Sequence, residues 1–282
     1  MHSGKSSLTA LAAARHRAAH QLIEQGRIFS DPLAMLILGE DSTVIHEAEG
    51  HPSRRRIRLF VAVRTRFAED TLDRAVAHGV RQLIMLGAGL DTYAYRSPFG
   101  DRLHIFEVDH PSTQAWKRRR LAEAAIPSPS WLTFIPMDFE HETLEDSLLY
   151  AGFNPRQQSF FTWLGVVPFL TEPAVWSTLS YIASLPNESH VVFDYSNPPS
   201  SYSQRMRLAH DKRADGVAKL GEAFVSHFET EKLHDKLRTL GYVRIKDLGP
   251  PQIAKRFNPN SKSPVSKNGA HVLYASTIKV IS

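Results

Sequence analysis

The 282-residue chain has no cysteine, which removes disulfide frameworks, thiolate zinc sites, iron–sulfur clusters and cysteine nucleophiles together. No apolar run approaches the ~18–20 residues that span a bilayer, so no membrane association is expected. Two catalytic signatures are also missing. There is no G-x-S-x-G elbow, and His16 and His20 have the i, i+4 spacing of a metal pair without the carboxylate of an H-E-x-x-H motif. Hydrolysis and metal catalysis are therefore not indicated. No acid precedes Glu24, while Lys5, Arg15 and Arg17 stand among serines and alanines. An organelle leader reads this way, but the apolar positions recur at helical spacing, and the expected location is cytoplasmic.

What is present is ordinary for a globular protein: 42% hydrophobic and 22% charged residues, with a formal net charge of +5. Part of that charge lies in Arg54-Arg55-Arg56 with Arg58, and in Lys117-Arg118-Arg119-Arg120. No interleaved aromatics accompany them, so they read as solvated helix faces and no nucleic-acid partner is expected. Length leaves the domain count open. The only linker-like stretch, Asn258 to Asn268, is too late and too short to divide the chain, so residues 1–282 are expected to form one domain.

The pattern changes once along the chain. Ser6 to Gln25 and Arg54 to His78 are predicted helices, the second with Ile57, Val61, Ala68, Leu72 and Ala75 on one side, and Phe29-Ser30-Asp31-Pro32 turns the chain between them. Residues 1–79 are thus a helical prelude. From Gln82 onward, short apolar runs alternate with helical stretches: Gln82 to Leu86, Leu103 to Val108, Thr133 to Met137, Ser159 to Trp163 and His190 to Tyr195. This order predicts a doubly wound α/β sheet. Tyr242 to Asp247 and Val272 to Ile278 follow without a convincing helix between them, so the closing pair should be antiparallel. The expectation is a seven-stranded, mainly parallel sheet with a helical lid over it.

The first strand runs directly into Leu86-Gly87-Ala88-Gly89-Leu90-Asp91-Thr92. Glycines here let the chain turn tightly and bring backbone N–H groups close to a ligand at the carboxyl edge of the sheet. Asp109 ends the next strand twenty residues after Gly89, where an acid can accept from a ribose diol; Glu107, two residues earlier on the same strand face, is the alternative. A dinucleotide loop would carry a third glycine and aim a helix N-terminus at a pyrophosphate. Here Thr92-Tyr93 stands in that place behind Asp91, whose charge repels a pyrophosphate and attracts an ammonium. The donor expected is S-adenosylmethionine, with Asp138 at the third strand end accepting from the adenine amino group and Phe139 against the ring.

These residues, read together, resemble the leucine carboxyl methyltransferase family, including its bacterial and fungal relatives of the polyketide carboxyl methylase type. The resemblance covers nearly the whole chain through Ser7-Leu8-Thr9-Ala10 with Ala13, Arg17-Ala18 and Asp31-Pro32, then Arg64-Thr65-Arg66, Leu86 to Thr92 with Tyr95-Arg96, Phe106 to Pro111, Asp138, and Trp163 to Val166 with Phe169-Leu170-Thr171. It implies a class I fold with a helical lid, S-adenosylmethionine as donor, and methyl transfer to a carboxylate or hydroxyl oxygen. It also implies that Arg64 partners the cofactor carboxylate, with Gly87, Ala88 and Gly89 in the loop. Leu164 stands where many members carry a glutamate, which removes a contact to the methionine ammonium.

Methyl transfer from a sulfonium is an in-line displacement that requires alignment and exclusion of water more than acid or base. A carboxylate acceptor is already nucleophilic at neutral pH, whereas a phenol or alcohol needs a proton acceptor. His110, His141, Tyr195 and His227 are the candidates for that role, and Arg17, Tyr195, Glu222 and Phe224 for contact with the acceptor. The acceptor pocket is expected from the lid and from an insertion around 198–228. The competing readings are an NAD(P)-dependent oxidoreductase on a similar sheet and an inactive cofactor-binding interaction protein.

Overall fold

A computed structural model describes residues 7–139, 141–219, 221–257 and 265–277. The prelude is helical as expected, with α1 (Leu8–Ile23), α2 (Ala34–Leu38), α3 (Ser42–Glu49) and α4 (Pro52–Ala77). The two short helices were not foreseen. Each start has a local cause: the Ser7 hydroxyl accepts from the Ala10 amide at 3.1 Å, Asp41 accepts from the Thr43 amide at 2.7 Å, and Pro52 opens α4 where its missing N–H costs nothing. Gly39, at φ 62°, closes α2 in the left-handed conformation that glycine adopts without strain.

Beyond α4 the chain alternates strand and helix: β1 (Gln82–Leu86), α5 (Tyr93–Arg96), β2 (His104–Asp109), α6 (Pro111–Glu123), β3 (Leu132–Pro136), α7 (Leu144–Tyr150), β4 (Ser159–Trp163), α8 (Glu172–Ser184), β5 (Ser189–Ser196), α9 (Gln204–Ala218), α10 (Thr230–Thr239), β6 (Arg244–Leu248), α11 (Pro250–Phe257) and β7 (Ala270–Ser276). The seven-stranded sheet has the order β3-β2-β1-β4-β5-β7-β6. The pairs among β1 to β5 are parallel, and β7 runs antiparallel to both β5 and β6. The closing antiparallel pair is as expected, but the short helix α11 lies between its strands. Lys5 and the start of the first predicted helix, the end of the last predicted strand at Ile278, and most of the Asn258 to Asn268 stretch lie outside the described residues.

Strand periodicity sorts the core into two layers. Ile84, Leu86, Phe106, Phe161, Trp163 and Phe193 face α8 and α10, whereas Leu83, Met85, Ile105, Phe160 and Val192 face α4. Each such side chain, fully buried, contributes about 1.5–3 kcal/mol. The edge strand β6 keeps Arg244 and Lys246 toward solvent, charges that discourage pairing with another chain.

The prelude is not loosely attached. Ala14, Ala18 and Ala19 of α1 pack with Ile37, Leu90 and Leu121, small side chains that let α1 approach the loop after β1 and helix α6 closely. The basic clusters are only partly solvated. Arg58 is buried against Glu24 and the Glu49 carbonyl, and Lys117 is buried against Glu107 at 2.7 Å, so two of the presumed surface charges are internal ion pairs. An arginine or lysine at a helix position facing a neighbouring element buries when an acid meets it. His16 and His20 likewise face acids, Glu49 at 2.8 Å and Glu24 at 3.2 Å.

Candidate active site

Gly87 and Gly89 have φ of 66° and 50°, so the turn after β1 uses the left-handed region twice. Space is as restrictive as conformation: a Cβ on Gly87 would collide with Val166, and one on Gly89 would lie 3.1 Å from Cβ of Ala10. Helix α1 therefore lies directly on the glycine loop. Arg17 fastens it there, donating to the Leu90 carbonyl and lying 3.4 Å from Asp31 and 4.0 Å from Asp91. Asp31 also accepts from the Leu33 amide at 3.1 Å and from the Thr92 hydroxyl at 2.8 Å. Arg96 lies 3.6 Å from Asp31 and pairs with Glu69 of α4, so lid, loop and α4 share one ionic network. Burial pushes the Asp91 carboxyl up, but the charges of Arg17, Arg96 and Lys117 outweigh it and hold the group below its usual range.

Asp109 and Glu107 share a strand face and have different environments. The Asp109 carboxylate accepts from the Gly89 amide and, at 2.7 Å, from the His110 amide. An ionised carboxylate has about four lone-pair positions, so two remain for hydroxyl donors. Burial pushes its pKa up, and the two amides work against that. Glu107 is 1% exposed and held by Lys117, with burial pushing its carboxyl to about 7 against the lysine's pull. Of the two, only Asp109 meets the glycine loop.

Arg64 comes to the same edge from α4. Its guanidinium donates to Asp194 of β5 at 2.8 Å, and Asp194 also accepts from the Gly165 amide in the turn after β4. Gly165 has φ 76°, and a Cβ there would lie 2.6 Å from the guanidinium, so only glycine admits this approach. The Arg64 Nε is buried without a partner. A buried cation with an unmet donor suits an anionic group. Leu164 packs against the core layer that faces α4.

At the end of β3, Asp138 lies 4.0 Å from the His110 imidazole, and its amide donates to Glu142 at 2.7 Å. Phe139 packs against the core layer that faces α8 and α10. His141 is exposed on the following turn, its amide donating to the Asp138 carbonyl at 3.1 Å. The His110 ring accepts from the Ser112 amide at 3.2 Å and caps α6.

Segment 221–228 closes the other side of the edge. Glu222 accepts from the hydroxyls of Ser7, at 3.0 Å, and Thr9, joining the insertion to the start of α1. The Val225 amide donates to the Pro168 carbonyl at 2.8 Å, the Ser226 hydroxyl to the Val167 carbonyl at 2.7 Å, and the Phe228 amide to Ser196 at 3.0 Å, carrying the segment across the ends of β4 and β5. Phe224 lies 5.2 Å from the Phe169 ring, and both stay partly exposed.

Tyr195 does not join them. It is buried, its hydroxyl donating to Asp247 and lying 3.1 Å from Thr230 and 3.2 Å from His271. Burial and the Asp247 charge push its pKa far up, so it is a member of a buried polar network and not a base. Arg17 and Glu222 are likewise engaged in holding the lid. Asp194 is a residue the sequence reading missed. A lone acid within the apolar run Val191-Val192-Phe193-Asp194-Tyr195 needs a buried cation, and that is the signal from which Asp194 could have been found.

A parallel sheet closed by an antiparallel hairpin, with a glycine loop after β1, acids at two following strand ends and an arginine across the edge, defines a class I methyltransferase, and the donor set suits S-adenosylmethionine. The family model of leucine carboxyl methyltransferase matches residues 10–183, and the chain belongs to that family. It is 29% identical to YktD of Bacillus subtilis (strain 168), named as a candidate S-adenosyl-L-methionine-dependent methyltransferase, over 94% of this chain and 96% of that one. A similarly named protein of Frankia alni is 32% identical over 63% of this chain and 64% of its own length. Among solved structures, the CurJ carbon methyltransferase shares the fold with a TM-score of 0.51 at 14% identity, over 97% of this chain and 68% of that one. The chain is an S-adenosylmethionine-dependent methyltransferase.

Proposed function

We propose that residues 1–282 act as one catalytic domain, working in the cytoplasm, that transfers a methyl group to a carboxylate or hydroxyl oxygen of a small molecule. The observation that carries the reading is the juxtaposition of Arg64, Asp109 and the Gly87–Gly89 loop beneath α1, which supports a donor lying along the strand ends. When bound, S-adenosylmethionine supplies an electrophilic methyl on a sulfonium. Arg64, fixed by Asp194, would take the donor's carboxylate, Asp109 its ribose hydroxyls, and Asp138 with Phe139 its adenine. Asp91 adds negative charge on the side of the ammonium, a partial substitute for the acid that Leu164 lacks. Helix α1 and segment 221–228, joined through Glu222, would exclude water and hold an acceptor against the methyl. Phe169 and Phe224 supply an apolar wall for it.

The test is transfer of radiolabelled methyl from S-adenosylmethionine to a panel of benzoates, phenols and aliphatic alcohols. Label in an ester or ether product supports the reading. Label only in carbon- or nitrogen-methylated products would overturn it.

A further inference from the structure

Helix α9 and segment 221–228 bring two imidazoles together. Nε2 of His227 lies 3.4 Å from Nε2 of His210, and Nδ1 of His210 lies 3.2 Å from the Asp211 carboxylate. A carboxylate only accepts, so it fixes the Nδ1–H form of His210 and leaves Nε2 as an acceptor. His227 then donates through its own Nε2–H, which leaves its Nδ1 unprotonated. The rings around this pair are aromatic: Phe224 lies 6.0 Å from His210 and 5.2 Å from Phe169, and Tyr202 lies 5.8 Å from His210.

We propose that His227, backed by His210 and Asp211, is the proton acceptor for a hydroxylated aromatic acceptor whose ring lies against Phe169 and Phe224. This rests on the reading of the site as an oxygen methyltransferase and narrows it to hydroxyl acceptors. In the step, the acceptor oxygen forms its bond to the methyl carbon while the carbon–sulfur bond breaks with its electron pair passing to sulfur. The hydroxyl proton goes to Nδ1 of His227, and the product is S-adenosylhomocysteine with the methyl ether.

Position favours this residue over the other histidines. His227 lies between Ser226, bonded to the turn after β4, and Phe228, bonded to the end of β5, which places it at the strand ends. The charged and titratable groups acting on it are His210 and Arg213 of α9, with Asp211 and Tyr202 touching His210 behind it. Arg213 lies 5.2 Å from the Phe224 ring, over its face. Burial, then the neighbouring His210 and Arg213, hold the His227 pKa below its ordinary value, so it is a free base at neutral pH. Apart from the His210 side chain and its neighbours, α9 is largely exposed, and such a helix can open to admit an acceptor.

The test compares the full-length protein with His227→Gln, His227→Ala and His210→Gln. S-adenosylhomocysteine affinity is measured first, and methyl transfer to simple phenols and benzoates is then followed from pH 6 to 10. Unchanged cofactor affinity, a kcat for phenols lowered roughly 100-fold or more in His227→Gln, and a deficit that shrinks as the phenols ionise unaided support the proposal. Added imidazole should restore part of the rate in His227→Ala, which a merely structural role would not allow. In the wild type, para-nitrophenol should bind as its phenolate below its solution pKa, and in His227→Gln it should not. Transfer confined to benzoates, full phenol activity in His227→Gln, or phenols neither bound nor methylated would overturn it. Loss of the parent reading is distinguished by failure to methylate any oxygen acceptor.

Discussion

The Arg64 guanidinium of α4 meets the Asp194 carboxylate of β5 at 2.8 Å, across 130 positions of sequence, with Gly165 beside them. This pair fixes a cation at the strand ends where the donor's carboxylate is proposed to lie. Arg64→Ala should weaken S-adenosylhomocysteine at least about tenfold, since a hydrogen bond to a charged group contributes about 1.5–3 kcal/mol. It should also destabilise the fold by about 3–5 kcal/mol, because the Asp194 carboxylate is left buried without its cation. Arg64→Lys should recover stability better than affinity, as an ammonium lacks the guanidinium fork. Calorimetry and urea unfolding on the same variants separate the two effects.

Asp109 and Glu107 should part in opposite ways. Asp109→Ala is expected to lose about tenfold or more in cofactor affinity, through the ribose contacts and through the Gly89 amide it holds in place. Glu107→Ala should leave affinity within about threefold and lower stability by several kcal/mol, by stranding Lys117. Titration of S-adenosylhomocysteine into both variants checks the assignment; the reverse pattern would transfer the ribose role to Glu107.

The legible part of the sequence was that in which local pattern and tertiary role coincide. The runs from Gln82 to Tyr195 are apolar because both faces of a parallel sheet are covered, and β1 to β5 fall where those runs are. Gly87, Gly89 and Asp109 were visible because a strand, a turn and the next strand end have fixed spacing. Asp194 was not, because its meaning lies in Arg64, on a helix far away in sequence. Helices α2 and α3 are shorter than the period needed to detect them, and α11 opens on the two prolines of a Gly-Pro-Pro that reads as a turn. Tyr195 sits at a strand end like a site residue, yet its hydroxyl is taken up by Asp247, a partner about fifty residues on.

Acid sensitivity should come in part from His190. Its ring lies buried between Phe160 and Tyr274, its Nδ1 is 2.9 Å from the Tyr274 hydroxyl, and burial pushes its pKa down to about 4. The unfolded chain takes up a proton near the ordinary histidine pKa of ~6.5, whereas the folded chain does so only near 4. The contribution is therefore complete above about pH 6.5 and falls away toward pH 4, by about 3 kcal/mol in all. Urea unfolding of His190→Gln between pH 7 and 4.5 should show a flatter profile than the wild type, whatever its stability at neutral pH. An identical slope would show that other groups carry the acid response.

The account turns on what lies along the strand ends beneath α1. Calorimetric titration of the full chain with S-adenosylhomocysteine, and separately with NAD, tests this most directly. The account predicts saturable one-to-one binding of S-adenosylhomocysteine, weakened by Arg64→Ala and by Asp109→Ala, with no heat from NAD. Tight NAD binding with no response to S-adenosylhomocysteine would contradict it.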